Sequence, residues 1–235
     1  RIFAQRILAS GTTAAGWPDG GLAVGSTGAD QSSPSVVADG SGGALIAWQE
    51  RRDSLPDVFA LRVMPEGIVD PSWPSGGRRV CQNAAWRGEP LAVSDGSGGM
   101  VLVWLEHEAQ GGRLRAQRIQ STGGLATGWP AQGVGIGTTA GDQHAASVIA
   151  DTSGGVFATW LDGAAPALPP QRVTGTGAVA IGWSAEGTLV SPAAQSPLTP
   201  AIRSDGQGGV VIAWADRRSE VSHDIFVQRF TAGGA

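Results

Sequence analysis

The sequence predicts an all-β protein assembled from tandem four-stranded units, and three observations predict it. A Gly-rich phrase returns four times: "ADGSGGALIAW" from 38, "SDGSGGMVLVW" from 94, "ADTSGGVFATW" from 150 and "SDGQGGVVIAW" from 204. Its aspartates, Asp39, Asp95, Asp151 and Asp205, lie 56, 56 and 54 residues apart, and Trp48, Trp104, Trp160 and Trp214 keep step with them. A second Trp series (Trp17, Trp73, Trp129, Trp183) and the Arg series Arg6, Arg62, Arg118, Arg172 and Arg229 run at the same interval. Self-similarity at a fixed interval makes each repeat one supersecondary unit that buries its apolar face against the next.

Each element follows from local pattern. "PSVVAD" alternates and runs into "DGSGG", a turn whose glycines supply the positive φ that a tight hairpin needs. "ALIAWQE" is a nearly continuous apolar run, as expected of a strand covered on both faces. "DVFALRV" is the third strand. A loop of about ten residues carrying "GWP" or "SWP" then leads to a short fourth strand such as "GLAV" or "RRVC". No segment carries a helical period. The Gly-rich loop therefore reads as a turn and not as a ligand cradle, since a functional loop has no need of a copy in every unit.

Units of this length and content point to β-propeller blades. The expectation is a single domain over 1–235 with about four repeats of 54–57 residues. Its units fall near 34–89, 90–145, 146–199, and 200–235 together with 1–33. Closure is open at this point: five third strands accompany four of each other kind, so a four-bladed ring leaves one "QR" strand surplus. That strand would recruit a second molecule by edge pairing, or the chain belongs to a larger propeller.

Composition excludes several function classes. The net charge is −4, and the sixteen basic residues, all Arg, form no stripe, so nucleic acid is not an expected partner. No apolar run approaches the roughly 20 residues that span a bilayer. The single cysteine, Cys81, excludes an internal disulfide framework and a Cys-rich zinc site. No P-loop, nucleophile elbow or HExxH helix is present, and no second His and carboxylate at metal-ligand spacing accompany His144, so neither cofactor nor metal is expected. The chain opens on "RIFAQRIL", which reads as the inside of a strand, as in a mature product or a segment of a longer protein.

The composite pattern "DGxGGxxxAWxDxR…DIxxQR" resembles the tandem repeats of large secreted bacterial β-propeller-like proteins. The resemblance covers essentially the whole chain and is closest over 205–229; the third unit departs from it in "LDGAAPALPPQR". It implies an extracellular or cell-surface location and, with no catalytic motif in sight, a non-enzymatic binding or scaffold module. The alternatives are a lectin-like carbohydrate binder and a glycoside hydrolase or lyase with its site at the channel mouth. The sialidase Asp-box places Trp five residues after its Asp, whereas the gap here is nine, so that activity is not carried over.

Repetition also sorts structural from functional residues. The acids two residues after each Trp (Glu50, Glu106, Asp162, Asp216) are expected to clamp the Arg of the neighbouring "QR" strand. Functional asymmetry arises only where units differ, in the fourth-to-first and second-to-third loops. These carry Trp86, Arg87, Glu89, Asp142, Gln143, His144 and Arg217 as the candidate face for a protein or glycan ligand, with His107 and Glu108 beside them. Trp86 breaks the Trp register and offers a stacking surface. His144 suits a base or ligand, and Glu89 with Asp142 suits a glycosidase pair if the fold sets them roughly 5 to 10 Å apart.

Overall fold

The computed structural model describes residues 1–25, 28–81, 85–109, 111–137, 141–163, 168–191, 196–218 and 222–235. Among them sixteen strands follow one another with no helix. β1 (Ile2–Ala4) and β2 (Leu22–Val24) form a hairpin sheet. β3 (Gln31–Ala38), β4 (Ala44–Glu50), β5 (Asp57–Val63) and β6 (Arg78–Arg79) form an antiparallel sheet in sequential order. β7 (Trp86–Ser94), β8 (Met100–Glu108), β9 (Gly111–Ile119) and β10 (Val134–Ile136) repeat it. β11 (Gln143–Ala150), β12 (Val156–Asp162) and β13 (Pro170–Val173) form a three-stranded copy. β14 (Leu198–Ser204), β15 (Val210–Asp216) and β16 (Asp224–Phe230) form another.

The "DGSGG" phrase is the turn between first and second strands. Asp39 accepts the amides of Ser41 at 2.7 Å and Gly43 at 2.8 Å, and Gly40 and Gly42 hold φ of 76° and 90°. At Gly43 a Cβ would lie 2.4 Å from the carbonyl oxygen of Val63, so only glycine lets the turn close against the third strand.

The apolar second strands are buried on both faces, as their composition predicts. On β8, Met100, Leu102 and Trp104 enter one core with Trp48 and Phe59, while Val101, Val103 and Leu105 enter the next with Val156 and Trp160. A third core holds Phe157, Ile202, Ile212 and Trp214. The cores therefore lie between successive sheets, and the first strands pack in series: β3 against β7, β7 against β11, β11 against β14.

The second Trp series ties each sheet to the next. The indole N–H of Trp17 donates to Pro65 O at 2.9 Å, and those of Trp73, Trp129 and Trp183 donate to Ser121 O, Gly175 O and Ala232 O, each at 3.0 Å. Arg118 and Arg172 donate to the same Gly175 and Ala232 oxygens at 3.1 and 2.9 Å. A buried apolar ring with a satisfied polar edge makes a directional joint.

Two expectations need correction. First, the "QR" arginines do not clamp Glu50 and its equivalents. Arg62 bonds Asp39 at 2.6 Å and Asp70 at 3.2 Å, while Arg118, Arg172 and Arg229 bond Asp95, Asp151 and Asp205. The register explains it: Arg62 lies opposite Leu45, five residues before Glu50, roughly 16 Å along the strand. Glu50 instead accepts from Trp48 at 2.6 Å, Gln31 at 3.2 Å and Arg52 at 2.9 Å. Second, strand pairing among the described residues does not join 200–235 to 1–33, because β1–β2 and β14–β16 remain separate sheets. First strands also begin some three residues before the expected unit boundaries. Pro34 and Pro90 sit inside β3 and β7 at β-bulges, where a strand tolerates proline, and do not precede the strands.

Candidate functional site

All four first strands carry a bulge at the same place, with register shifts at 32/35, 88/91, 144/147 and 198/201. In three of them the bulged residue is left-handed without being glycine: Ser33 at φ 52°, Glu89 at 53° and Ala145 at 49°. Such a conformation costs on the order of 1 kcal/mol and re-aims a side chain where a regular strand would not. Glu89 is the ionisable one of the three, and it is exposed.

Glu89 stands at the rim of a cavity of about 100 Å³ between β7 and β11. Leu91, Val103, Leu105 and Leu114 form the floor, and His144 faces in from β11. The His144 ring is set by its own backbone, Nδ1 lying 3.0 Å from Asp142 O. A carbonyl only accepts, so Nδ1 carries the proton and Nε2 is left for a ligand. The exposed Asp142 uses Oδ1 to accept the Gly112 amide at 2.5 Å, which holds its carboxylate at the residue paired with His107. Trp86, the first residue of β7, is half-buried and meets the exposed His107 edge-on, with centroids 4.2 Å apart and planes at 88°. Trp86 pairs with His107, and the next pair on that face of β7 and β8 is Gly88 with Leu105, a floor residue, so the aromatic pair lies one same-face pair beyond the cavity lining.

Three of the sequence-selected residues are not available there. Arg87 is fully buried, donating to Glu106 at 2.7 Å and to Asp57 of the preceding sheet at 3.0 Å. Burial opposes its charge, but Glu106, Cys81 and Asp57 outweigh it and raise its pKa. Gln143 is also buried, and its amide mimics a backbone unit, accepting from Leu114 N at 2.6 Å and donating to Ile136 O at 2.9 Å in the preceding sheet. Gln31 makes the same pair of bonds to Ile2 N and Val24 O. Residues 31, 87 and 143 are thus joints between sheets, each 56 residues from the last. Arg217 is exposed beyond β15, in a different sheet from the cavity. The structure brings Glu89 and His144 together in the cavity lining, sets Trp86 and Asp142 beside that lining at the ends of the same two strands, and leaves Arg87, Gln143 and Arg217 outside. The bulge escaped sequence reading, although "SP" at 33, "EP" at 89 and "TP" at 199 mark its position.

Among the described residues no cluster of three His, Cys, Asp or Glu side chains is placed to hold a metal ion, and no helix is long and apolar enough to cross a membrane. A second, polar cavity of about 220 Å³ adjoins Asp95 and Arg118, whose charges are already paired with each other.

No family model matches the chain, and no curated protein does. Solved structures do match. A Hadza microbial sialidase, Hz136, shares the fold with a TM-score of 0.55 at 14% identity, over 87% of this chain and 45% of that one. A protein of unknown function from Dyadobacter fermentans gives 0.51 at 13%, over 87% and 62%. The α-L-arabinanase of Penicillium chrysogenum gives 0.50 at 13%, over 87% and 58%. The chain thus spans about half the length of these structures. At such identities the likeness establishes the fold: an all-β architecture shared with β-propeller proteins. It also corrects the expectation of a non-enzymatic module. This architecture is shared with a sialidase and an arabinanase, so an uncatalytic role does not follow from repetition and missing motifs.

Proposed function

We propose that this chain is a glycoside-cleaving β-propeller module whose site is the β7–β11 cavity and whose place of work is outside the cell. The observation that carries it is Glu89, an exposed carboxylate held at φ 53° on an inner-strand bulge, at the rim of an apolar-floored cavity that His144 also enters. The bulge recurs at Ser33 and Ala145 and so belongs to the repeat; what distinguishes β7 is that its bulge carries a carboxylate. The enzymes named among the solved structures act on glycosides, which supports the same reading.

Glycoside cleavage uses two carboxyl groups, one as proton donor to the leaving oxygen and one as nucleophile or base. We assign these roles to Glu89 on β7 and to Asp142, the residue before β11. Their separation in the complex would decide retention or inversion. The alternative nucleophile of sialidases, a tyrosine, has no counterpart, for the sequence contains none. His144, with Nε2 free to accept, positions a sugar hydroxyl.

The test is release of reducing sugar from a panel of neutral and acidic glycosides by the full chain, its Glu89→Gln variant and its Asp142→Asn variant. The expected outcome is hydrolysis of at least one substrate, reduced about 100-fold or more in either variant with melting temperature preserved. Undiminished turnover in Glu89→Gln, or no cleavage across the panel, would overturn the proposal.

A further inference from the structure

The cavity is too small to hold a sugar ring: about 100 Å³ is the room of a few waters. It takes one edge or exocyclic arm of a ligand, and the rest must lie on the surface beside it. On the same face of β7 and β8, one same-face pair beyond Gly88 and the floor residue Leu105, Trp86 and His107 meet edge-to-face at 4.2 Å. An indole braced in this way is a flat apolar wall, suited to the C–H face of a sugar ring.

The charges around this wall limit what the ring carries. An acidic sugar needs an uncommitted cation, best an arginine offering its fork to a carboxylate. The arginines near the cavity are committed. Arg87 is held by Asp57 and Glu106, and Arg115 by Glu106 at 3.0 Å and Glu108 at 3.5 Å. Arg113 donates to Gly141 O and lies 3.9 Å from Glu108. Against these stand two exposed carboxylates, Glu89 at the rim and Asp142 on the amide of Gly112, the residue paired with His107. An anionic ring would meet repulsion at the rim and no free arginine fork to offset it.

We infer that the site selects neutral glycosides, seated with one ring face against Trp86. The inference rests on the glycosidase reading for the site's chemistry but not for its outcome, since binding and cleavage are measured apart. Binding is followed by isothermal titration on the full chain carrying Glu89→Gln, with arabinotriose and xylotriose as neutral probes and sialyllactose and a galacturonate trisaccharide as acidic ones. A neutral trisaccharide should bind at least about ten times more tightly than either acidic one, an advantage of about 1.4 kcal/mol. Trp86→Ala should weaken that binding about tenfold or more, and Trp86→Phe should restore most of it. Tighter binding of an acidic probe, or equal neutral binding in Trp86→Ala, overturns the inference. Should Trp86→Ala fail to fold, the comparison of neutral with acidic probes decides alone. If the unmodified chain binds neutral sugars with selectivity and cleaves none, the hydrolase reading falls and the selectivity stands. If it cleaves only acidic glycosides, the reverse holds.

Discussion

Arg87 on β7 and Asp57 on β5 meet at 3.0 Å across the boundary between two sheets, with the Arg87 side chain wholly buried and that of Asp57 nearly so. Glu106, directly opposite Arg87 on β8, closes the triad at 2.7 Å. A guanidinium so enclosed is a structural joint. Replacing it by Ala leaves two carboxylates buried with one cation fewer, a change that costs about 3 to 5 kcal/mol in comparable sites. Arg87→Ala should lower the denaturation midpoint steeply. A glycan affinity that fell with no change in stability would show that Arg87 reaches ligand after all.

The repeated Arg–Asp clamp should vary in worth with its burial. Arg62 is enclosed between Asp39 and Asp70 with a side chain 17% exposed, whereas Arg229 is 52% exposed on Asp205. Arg62→Ala is expected to destabilise by about 2 to 3 kcal/mol, since it strands the buried Asp39 carboxylate. Arg229→Ala should cost clearly less, since its exposed ion pair is screened by solvent. Urea titration of both variants checks the order, and equal losses would refute it.

Trp48 and Glu50 form a second ranked pair. Trp48 is fully buried, and its N–H reaches Glu50 at 2.6 Å, while among the described residues the N–H groups of Trp104, Trp160 and Trp214 find no acceptor. Length alone does not decide it: Glu50 takes up the Trp48 N–H, whereas Glu106, equally long, is held by Arg87 and Arg115. Glu50→Asp should cost about 1 to 2 kcal/mol by orphaning the indole, and Trp48→Ala about 3 to 5 kcal/mol by opening a cavity. Thermal melts measure both, and an unchanged midpoint for Trp48→Ala would contradict its burial.

At Glu89, stability and function should separate. Glycine adopts φ near 53° without strain, so Glu89→Gly is expected to be neutral or to stabilise by up to about 1 kcal/mol. The same substitution should abolish glycoside cleavage. A clear destabilisation would mean that the side chain holds the bulge together.

Acid should loosen the sheets through depressed carboxylates. Burial alone would raise Asp39, but Arg62 and the amides of Ser41 and Gly43 outweigh it and hold the carboxyl below its ordinary 3.8. At Glu50 burial is likewise outweighed by Arg52, Trp48 and Gln31, which hold it below 4.5. A group whose folded pKa is lowered adds stability above its unfolded pKa and loses it as pH falls through the folded one. From these two groups the denaturation midpoint should change little above about pH 5 and drop below about pH 4. In Arg62→Ala the Asp39 part of that drop should shrink.

The repeat, its strand order and the turn chemistry were legible in the sequence because they are local. Gly at positive φ, alternation, and apolar runs buried on both faces act within a few residues, and tandem copies display them four times over. What only the tertiary structure decided is which polar side chain meets which. Arg62 reached Asp39 because pairing register set Leu45, not Glu50, opposite it. Arg87 and Gln143 look like loop polar residues beside Trp86 and His144, yet packing of one sheet on the last buried the first two and left His144 exposed. The bulge that aims Glu89 likewise depends on a backbone shift at Pro90 whose outcome hangs on the partner strand. Burial and register are properties of pairs of elements far apart in the chain, and for that reason the site became visible only once the sheets were stacked.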